Sequence, residues 1–255
     1  MAGMTGYLAA PCDPAAPLRL FCFHPAGAGA ASFAGWRQAL GPGIDVLPVR
    51  LPGRETRFRE ARFTDAAVLI GDLAARLAPA LDERPYAFYG HSMGAQVAYQ
   101  LARRRRDAGA RGPEILCVGA CPAPHVPTHA ASLPDAPDHE LVRVLASLGA
   151  VPPGSSLSRG QVVRRMLPIV RDDLRLFAGG MVTGPPLDCP VQVLAATDDP
   201  LFDSAAAQAW ADHTTASCAV HLLRGGHFFH RAPSFPWLLR GLLPVPANNQ
   251  GTAAR

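Results

Sequence analysis

Short apolar runs alternate along the chain with longer stretches whose apolar residues recur every three or four positions. Leu18–Phe23, Ile44–Val49, Tyr86–Tyr89, Glu114–Gly119, Val191–Ala196 and Ala219–Leu223 read as strands. Residues 64–81 read as an amphipathic helix, with Val68, Leu69, Leu73 and Leu77 at helical spacing. Further helices are predicted near Ala31–Leu40 and over Gln96–Arg106. Strand and helix in alternation predict an α/β fold, a mostly parallel sheet with helices on both faces.

One region breaks this rhythm. Residues 122–186 hold no strand candidate, while 138–148 and 161–177 read as helices joined through Val151-Pro152-Pro153-Gly154. The expectation is a single domain over residues 1–245 with an all-helical insertion at about 122–186. The small, polar tail 246–255 is expected to be disordered.

Composition narrows the function classes. With 255 residues, 49% of them hydrophobic, the chain can bury one sizeable core. All 24 basic residues are Arg, against 20 acidic ones, for a net charge of +4. That modest excess, without basic and aromatic residues interleaved, argues against nucleic acid as a partner. No apolar stretch reaches the ~18 residues of a membrane span, and no signal peptide is evident. The cysteines, at 12, 22, 117, 121, 189 and 218, form no C-x-x-C pair. Cys22 and Cys117 fall inside strand-like runs, so a reduced chain in the cytoplasm is expected. No histidine pair has ligand spacing with a third partner, so neither a metal nor a cofactor is expected. His125, His129, His139 and His213 read as surface residues. The Arg103–Arg106 run complements a helix C-terminus; its alternative reading is a docking patch for an acidic partner.

The candidate chemistry begins at Gly90-His91-Ser92-Met93-Gly94. An apolar strand precedes this G-x-S-x-G pattern and a helix follows it, the context of a nucleophile elbow. A serine hydroxyl needs a base to take its proton, and the base needs an orienting acid. Thr197-Asp198-Asp199-Pro200 follows one late strand, and Arg224-Gly225-Gly226-His227-Phe228-Phe229-His230 follows the next. Serine, acid and histidine then occur in the order found in α/β-hydrolases. Asp199, stiffened by Pro200, is preferred over Asp198 as the acid. His227, directly after two glycines, is preferred over His230 as the base. A tetrahedral intermediate also needs two N–H donors. Met93 follows the nucleophile and supplies one. The loop His24-Pro25-Ala26-Gly27-Ala28-Gly29 supplies the other, and Ala26 is its first candidate because Pro25 has no N–H. That loop lacks the third glycine of a nucleotide fingerprint.

Five segments together resemble the stand-alone type II thioesterases that accompany modular polyketide synthases and nonribosomal peptide synthetases. They are Cys22-Phe23-His24-Pro25-Ala26-Gly27, Val49-Arg50-Leu51-Pro52-Gly53-Arg54-Glu55, the Ser92 elbow, Leu167-Pro168-Ile169-Val170-Arg171-Asp172-Asp173, and Gly226-His227-Phe228-Phe229. The likeness runs from about Leu20 to His230. One departure is in the first loop, where the family usually has Pro-His and this chain has His24-Pro25.

The resemblance implies an α/β-hydrolase fold with the helical insertion as a lid. It implies hydrolysis of acyl thioesters on the phosphopantetheine arm of acyl or peptidyl carrier proteins, clearing stalled acyl groups. Ser92, Asp199 and His227 match the family's triad, and Ala26 with Met93 its oxyanion hole. A monomer is expected, with no membrane partner. Val142, Leu145, Leu148, Met166, Ile169 and Phe177 are candidate walls of an acyl channel. An acyltransferase and a general carboxylesterase on the same fold are the rival readings.

Overall fold

In a computed structural model describing residues 6–150, 159–178, 184–201 and 204–245, six strands form one sheet. They are β1 (Leu18–Phe23), β2 (Ile44–Pro48), β3 (Tyr86–His91), β4 (Ile115–Gly119), β5 (Val191–Ala196) and β6 (Cys218–Leu223). Their order is β2-β1-β3-β4-β5-β6, and every pair is parallel. Parallel strands are covered on both faces, which is why β1, β3 and β4 are continuously buried and read as unbroken apolar runs. β6 is an edge strand, and its Val220 and Leu222 are exposed.

Alternation along β1 divides the core in two. Leu18, Leu20 and Cys22 pack with α1 (Trp36–Leu40) and α8 (Phe235–Leu242) on one face. Phe21 and Phe23 pack on the other with α2 (Ala66–Glu83) and α3 (Met93–Asp107). The helix expected near Ala31–Leu40 is two pieces, a 3-10 turn at Ala30–Phe33 and then α1, because Gly35 takes φ +80° between them. In α2 the Asp65 carboxylate accepts from the Val68 N–H at 3.1 Å, so the helix starts one residue past its cap.

Among the described residues between β4 and β5 there is no strand. That stretch holds a 3-10 segment (His129–Asp135), α4 (Asp138–Ser147), α5 (Arg159–Gln161), a π-helical turn (Val162–Met166) and α6 (Leu167–Ala178). Leu133, Leu141, Leu145, Leu167, Val170 and Leu174 give it a small apolar core of its own. The connector Val151–Gly154 and the tail 246–255 lie outside the described residues. α7 (Ser204–Gln208) follows β5. No described helix is long and apolar enough to cross a membrane.

Arg103 and Arg105 are buried, and Arg105 bonds Asp82, the Tyr86 hydroxyl and the Arg111 carbonyl. Arg106 donates to the Pro186 carbonyl at 2.7 Å. The Arg run therefore closes the elbow helix, as its first reading has it, and also joins that helix to its neighbours, with Arg104 exposed. His125 and His139 are exposed and the His129 side chain lies outside what is described, but His213 is half-buried, 2.7 Å from the Tyr99 hydroxyl and 2.8 Å from His125. Burial pushes its pKa down to about 4. All six cysteines are free thiols, with Cys22 and Cys117 buried as expected.

Candidate active site

The elbow owes its shape to backbone contacts that leave no room for side chains. A Cβ on Gly90 would stand 2.3 Å from the Gly94 carbonyl oxygen, and one on Gly94 only 2.1 Å from the Phe23 carbonyl oxygen. Ser92 between them takes φ +53°, ψ −120°, a strained conformation for a residue with a Cβ. Its N–H is fixed to the Gly119 carbonyl at 2.7 Å, which ties the turn to the end of β4. The helix begins at Met93, earlier than the predicted Gln96, because Met93-Gly94-Ala95 form the buried first turn against the sheet.

Asp199 and His227 meet at the same sheet edge. The His227 Nδ1–H donates to Asp199 Oδ2 at 2.7 Å, and both side chains are buried. The second carboxylate oxygen of Asp199 accepts from the Leu201 N–H at 3.0 Å, which fixes its rotamer. Asp198 is exposed and accepts from the Thr197 hydroxyl at 3.1 Å, so the structure brings Asp199 to the histidine and leaves Asp198 out. With Nδ1 committed to Asp199, Nε2 is the nitrogen left for a substrate or the serine.

Ser92, Met93, Ala26 and His227 line one cavity, which encloses about 640 Å³ of empty space including its open mouth. Its other walls are mainly apolar and come from the insertion, among them Leu133, Leu141, Val144, Leu145, Leu148, Val170, Leu174 and Phe177. Of the walls expected from sequence, Leu145, Leu148 and Phe177 are there. Val142, Met166 and Ile169 are not among the lining residues.

The Ala26 loop is held by residues far away in sequence. Arg54 forms a two-pronged ion pair with Asp173 of α6, at 2.8 and 2.7 Å, with both side chains buried. The same guanidinium donates to the Ala28 carbonyl at 2.9 Å, and Asp173 accepts from the Gly27 N–H at 2.8 Å. Glu55 accepts from the Ala31 N–H at 2.8 Å. Gly27, at φ +75°, lies so close to α6 that a Cβ would stand 2.5 Å from Val170 Cγ2. Met93 opens α3, where first-turn N–H groups have no intrahelical acceptor. His24 does not reach the cavity lining; its Nδ1–H donates to the Pro25 carbonyl at 2.9 Å, and burial pushes its pKa down to about 4.

Behind His227 stands a packed histidine pair that sequence reasoning left without a role. The His227 carbonyl can only accept, so His91 Nε2 carries the hydrogen in their 2.8 Å bond. His91 Nδ1 then accepts from the Tyr89 hydroxyl at 2.9 Å, in a neutral ring that burial holds well below the usual histidine range. The His230 ring packs 3.9 Å from it, inside a 3-10 turn at Phe229–Arg231. The sequence signal for His91 was its place inside the elbow motif. No spacing rule connects it to residue 227.

Comparisons with known proteins agree with this geometry. Residues 18–240 match the thioesterase domain family. The chain is 36% identical to the linear gramicidin dehydrogenase LgrE of Brevibacillus parabrevis, over 84% of this chain and 82% of that one. It is 31% identical to the gramicidin S biosynthesis protein GrsT of Aneurinibacillus migulanus, over 85% and 84%. Among solved structures it is similar to the RedJ thioesterase of the prodiginine pathway of Streptomyces coelicolor, with 37% identity, a TM-score of 0.83 and 94% of each chain covered. It is also similar to BorB, the type II thioesterase of the borrelidin cluster, with 33% identity, a TM-score of 0.78, and 92% and 96% covered. The chain belongs to the thioesterase family, as a serine hydrolase of α/β-hydrolase fold that stands among the type II members.

Proposed function

We propose that Ser92 is the acyl-accepting nucleophile, His227 its base, Asp199 the orienting acid, and the N–H groups of Ala26 and Met93 the oxyanion donors. The observation that carries this reading is the convergence of a strained serine and an Asp-paired histidine on one apolar cavity. Ser92 attacks the thioester carbonyl as His227 Nε2 takes the hydroxyl proton. The carbonyl oxygen becomes an oxyanion between the two N–H donors. The intermediate collapses, the C–S bond breaks, and the thiol leaves with the proton from His227. Water then gives up a proton to His227 and attacks the acyl-serine, releasing the free acid and restoring Ser92.

The substrate in this reading is an acyl group on the phosphopantetheine arm of an acyl or peptidyl carrier protein in polyketide or nonribosomal peptide biosynthesis. The type II relatives and the mainly apolar cavity support it. The helical insertion at 122–186 acts as a lid that shapes the acyl site, and the enzyme works as a monomer in the cytoplasm. Its task is to clear stalled acyl groups.

Carrier proteins loaded with short, long, starter and extender acyl groups test the proposal. Hydrolysis to free acid across the panel, lost in Ser92→Ala with the fold retained, is expected. A Ser92→Ala enzyme with most of its activity would overturn the site. Transfer of the acyl group to a second thiol would overturn hydrolysis, and preference for oxygen esters would overturn the thioester assignment.

A further inference from the structure

The ion pair between Arg54 and Asp173 joins two pieces of machinery that a hydrolase could have kept independent. Asp173 belongs to α6 in the insertion, whereas Arg54 belongs to the loop after β2. Both are buried, at 6% and 0% exposure, so neither charge has water as an alternative partner. Besides a 3.4 Å bond from Arg54 Nε to the Pro52 carbonyl, their other bonds go to the Ala26 loop: Asp173 takes the Gly27 N–H and Arg54 gives to the Ala28 carbonyl. These contacts flank Ala26 on its C-terminal side. Val170, one turn before Asp173, fills the space beside Gly27 where a Cβ would have been.

We infer that Arg54 and Asp173 are positioning residues that couple the docking of α6 to the aim of the Ala26 N–H, so that the oxyanion hole is complete only while α6 sits on the loop. This rests on the proposed role of Ala26. The physical reason is direct. If α6 lifts, Asp173 leaves with it, and the Gly27 N–H and the Arg54 guanidinium lose their acceptor together. The loop then keeps the Arg54 bond to the Ala28 carbonyl but loses the carboxylate that pins the Gly27 N–H, the contact next to Ala26. A substrate that lets the insertion close is thereby matched with a competent site.

Asp173→Asn and Arg54→Lys test the coupling, with an acyl N-acetylcysteamine thioester as substrate. Asn keeps the shape but loses the charge; Lys keeps the charge but loses the fork. An oxyanion donor out of place costs on the order of 10²-fold in kcat. We expect that loss for Asp173→Asn and about tenfold for Arg54→Lys, with KM within about twofold in both. Affinity for an alkyl trifluoromethyl ketone, whose adduct with serine carries the oxyanion, falls in step with kcat. Affinity for an uncleavable thioether analogue, measured in a Ser92→Ala background, stays unchanged. An unchanged kcat, or equal weakening of ketone and thioether, would show that the pair only anchors the insertion and would overturn the inference. Should Asp173→Asn give no soluble protein, Arg54→Lys decides by the same criteria. Activity that survives Ser92→Ala is a separate failure, of the proposed function itself.

Discussion

Asp199 stands 2.7 Å behind His227, while the adjacent Asp198 turns its carboxylate to Thr197 and to solvent. Two neighbouring acids of the same charge thus differ completely in what they can do. An Asn at 199 would present an amide donor to Nδ1 and favour the tautomer in which Nε2 carries the proton and cannot accept one. Asp199→Asn is expected to lower kcat by about 10³–10⁴-fold, the scale on which a mis-set triad tautomer acts. Asp198→Asn should stay within about twofold. Turnover of a short acyl thioester by both variants checks the assignment, and equal losses would refute it.

The two elbow glycines make a second prediction, because the atoms a Cβ would strike at Gly94 are backbone atoms of β1 and the loop after it. Backbone cannot rotate away as a side chain can. Gly94→Ala must therefore push α3 off the sheet, and a loss of more than about 3 kcal/mol is expected, in the range of severe core disruptions. Gly71, in the interior of α2 with nothing within 4 Å of a new Cβ, is the contrasting site. There Gly→Ala should stabilise by about 0.5–1 kcal/mol through helix propensity. Urea midpoints for the two variants should move in opposite directions.

What was legible in the sequence follows from how local each signal is. β1 and β5 could be bounded to the residue because buried parallel strands are short apolar runs with polar or turn residues at their ends. The elbow, the acid loop and the His227 loop each follow a strand, so their order along the chain already brings them to one edge of the sheet. The relation between Arg54 and Asp173 spans 119 residues, and neither is marked by periodicity. Both lie in segments that matched the family, yet the reason for the match appears only when α6 is laid on the Ala26 loop. Likewise Arg103 to Arg106 read as one charged block, although the helix turns successive side chains through about 100°. Arg103 and Arg105 are therefore buried while Arg104 is exposed.

His230 gives a pH prediction. It is 1% exposed, neither ring nitrogen has a hydrogen-bond partner among the described residues, and burial pushes its pKa from 6.5 to about 3. Its folded value lies below its unfolded value, so between about pH 3 and 6.5 the unfolded chain holds the proton and the native chain does not. The stability this histidine confers is complete above pH 6.5 and is lost as the pH falls toward 3, at up to about 1.4 kcal/mol per pH unit. His24, brought down to about 4, and His91, also lowered, act in the same direction, so the native state should weaken in acid. Replacing His230 with leucine removes one proton from this balance and strands no donor or acceptor among the described residues, since neither ring nitrogen bonds to one of them. His230→Leu is expected to keep or raise Tm at pH 8 and to make the fall of Tm between pH 6.5 and 4.5 shallower than in the wild type. His230→Asn, which keeps a polar group in the same apolar site without a titrating ring, should share the shallower slope but melt lower at every pH. If all three proteins lose stability with the same acid slope, the proton taken up on unfolding goes to other groups and the buried state of His230 does not govern the acid limb.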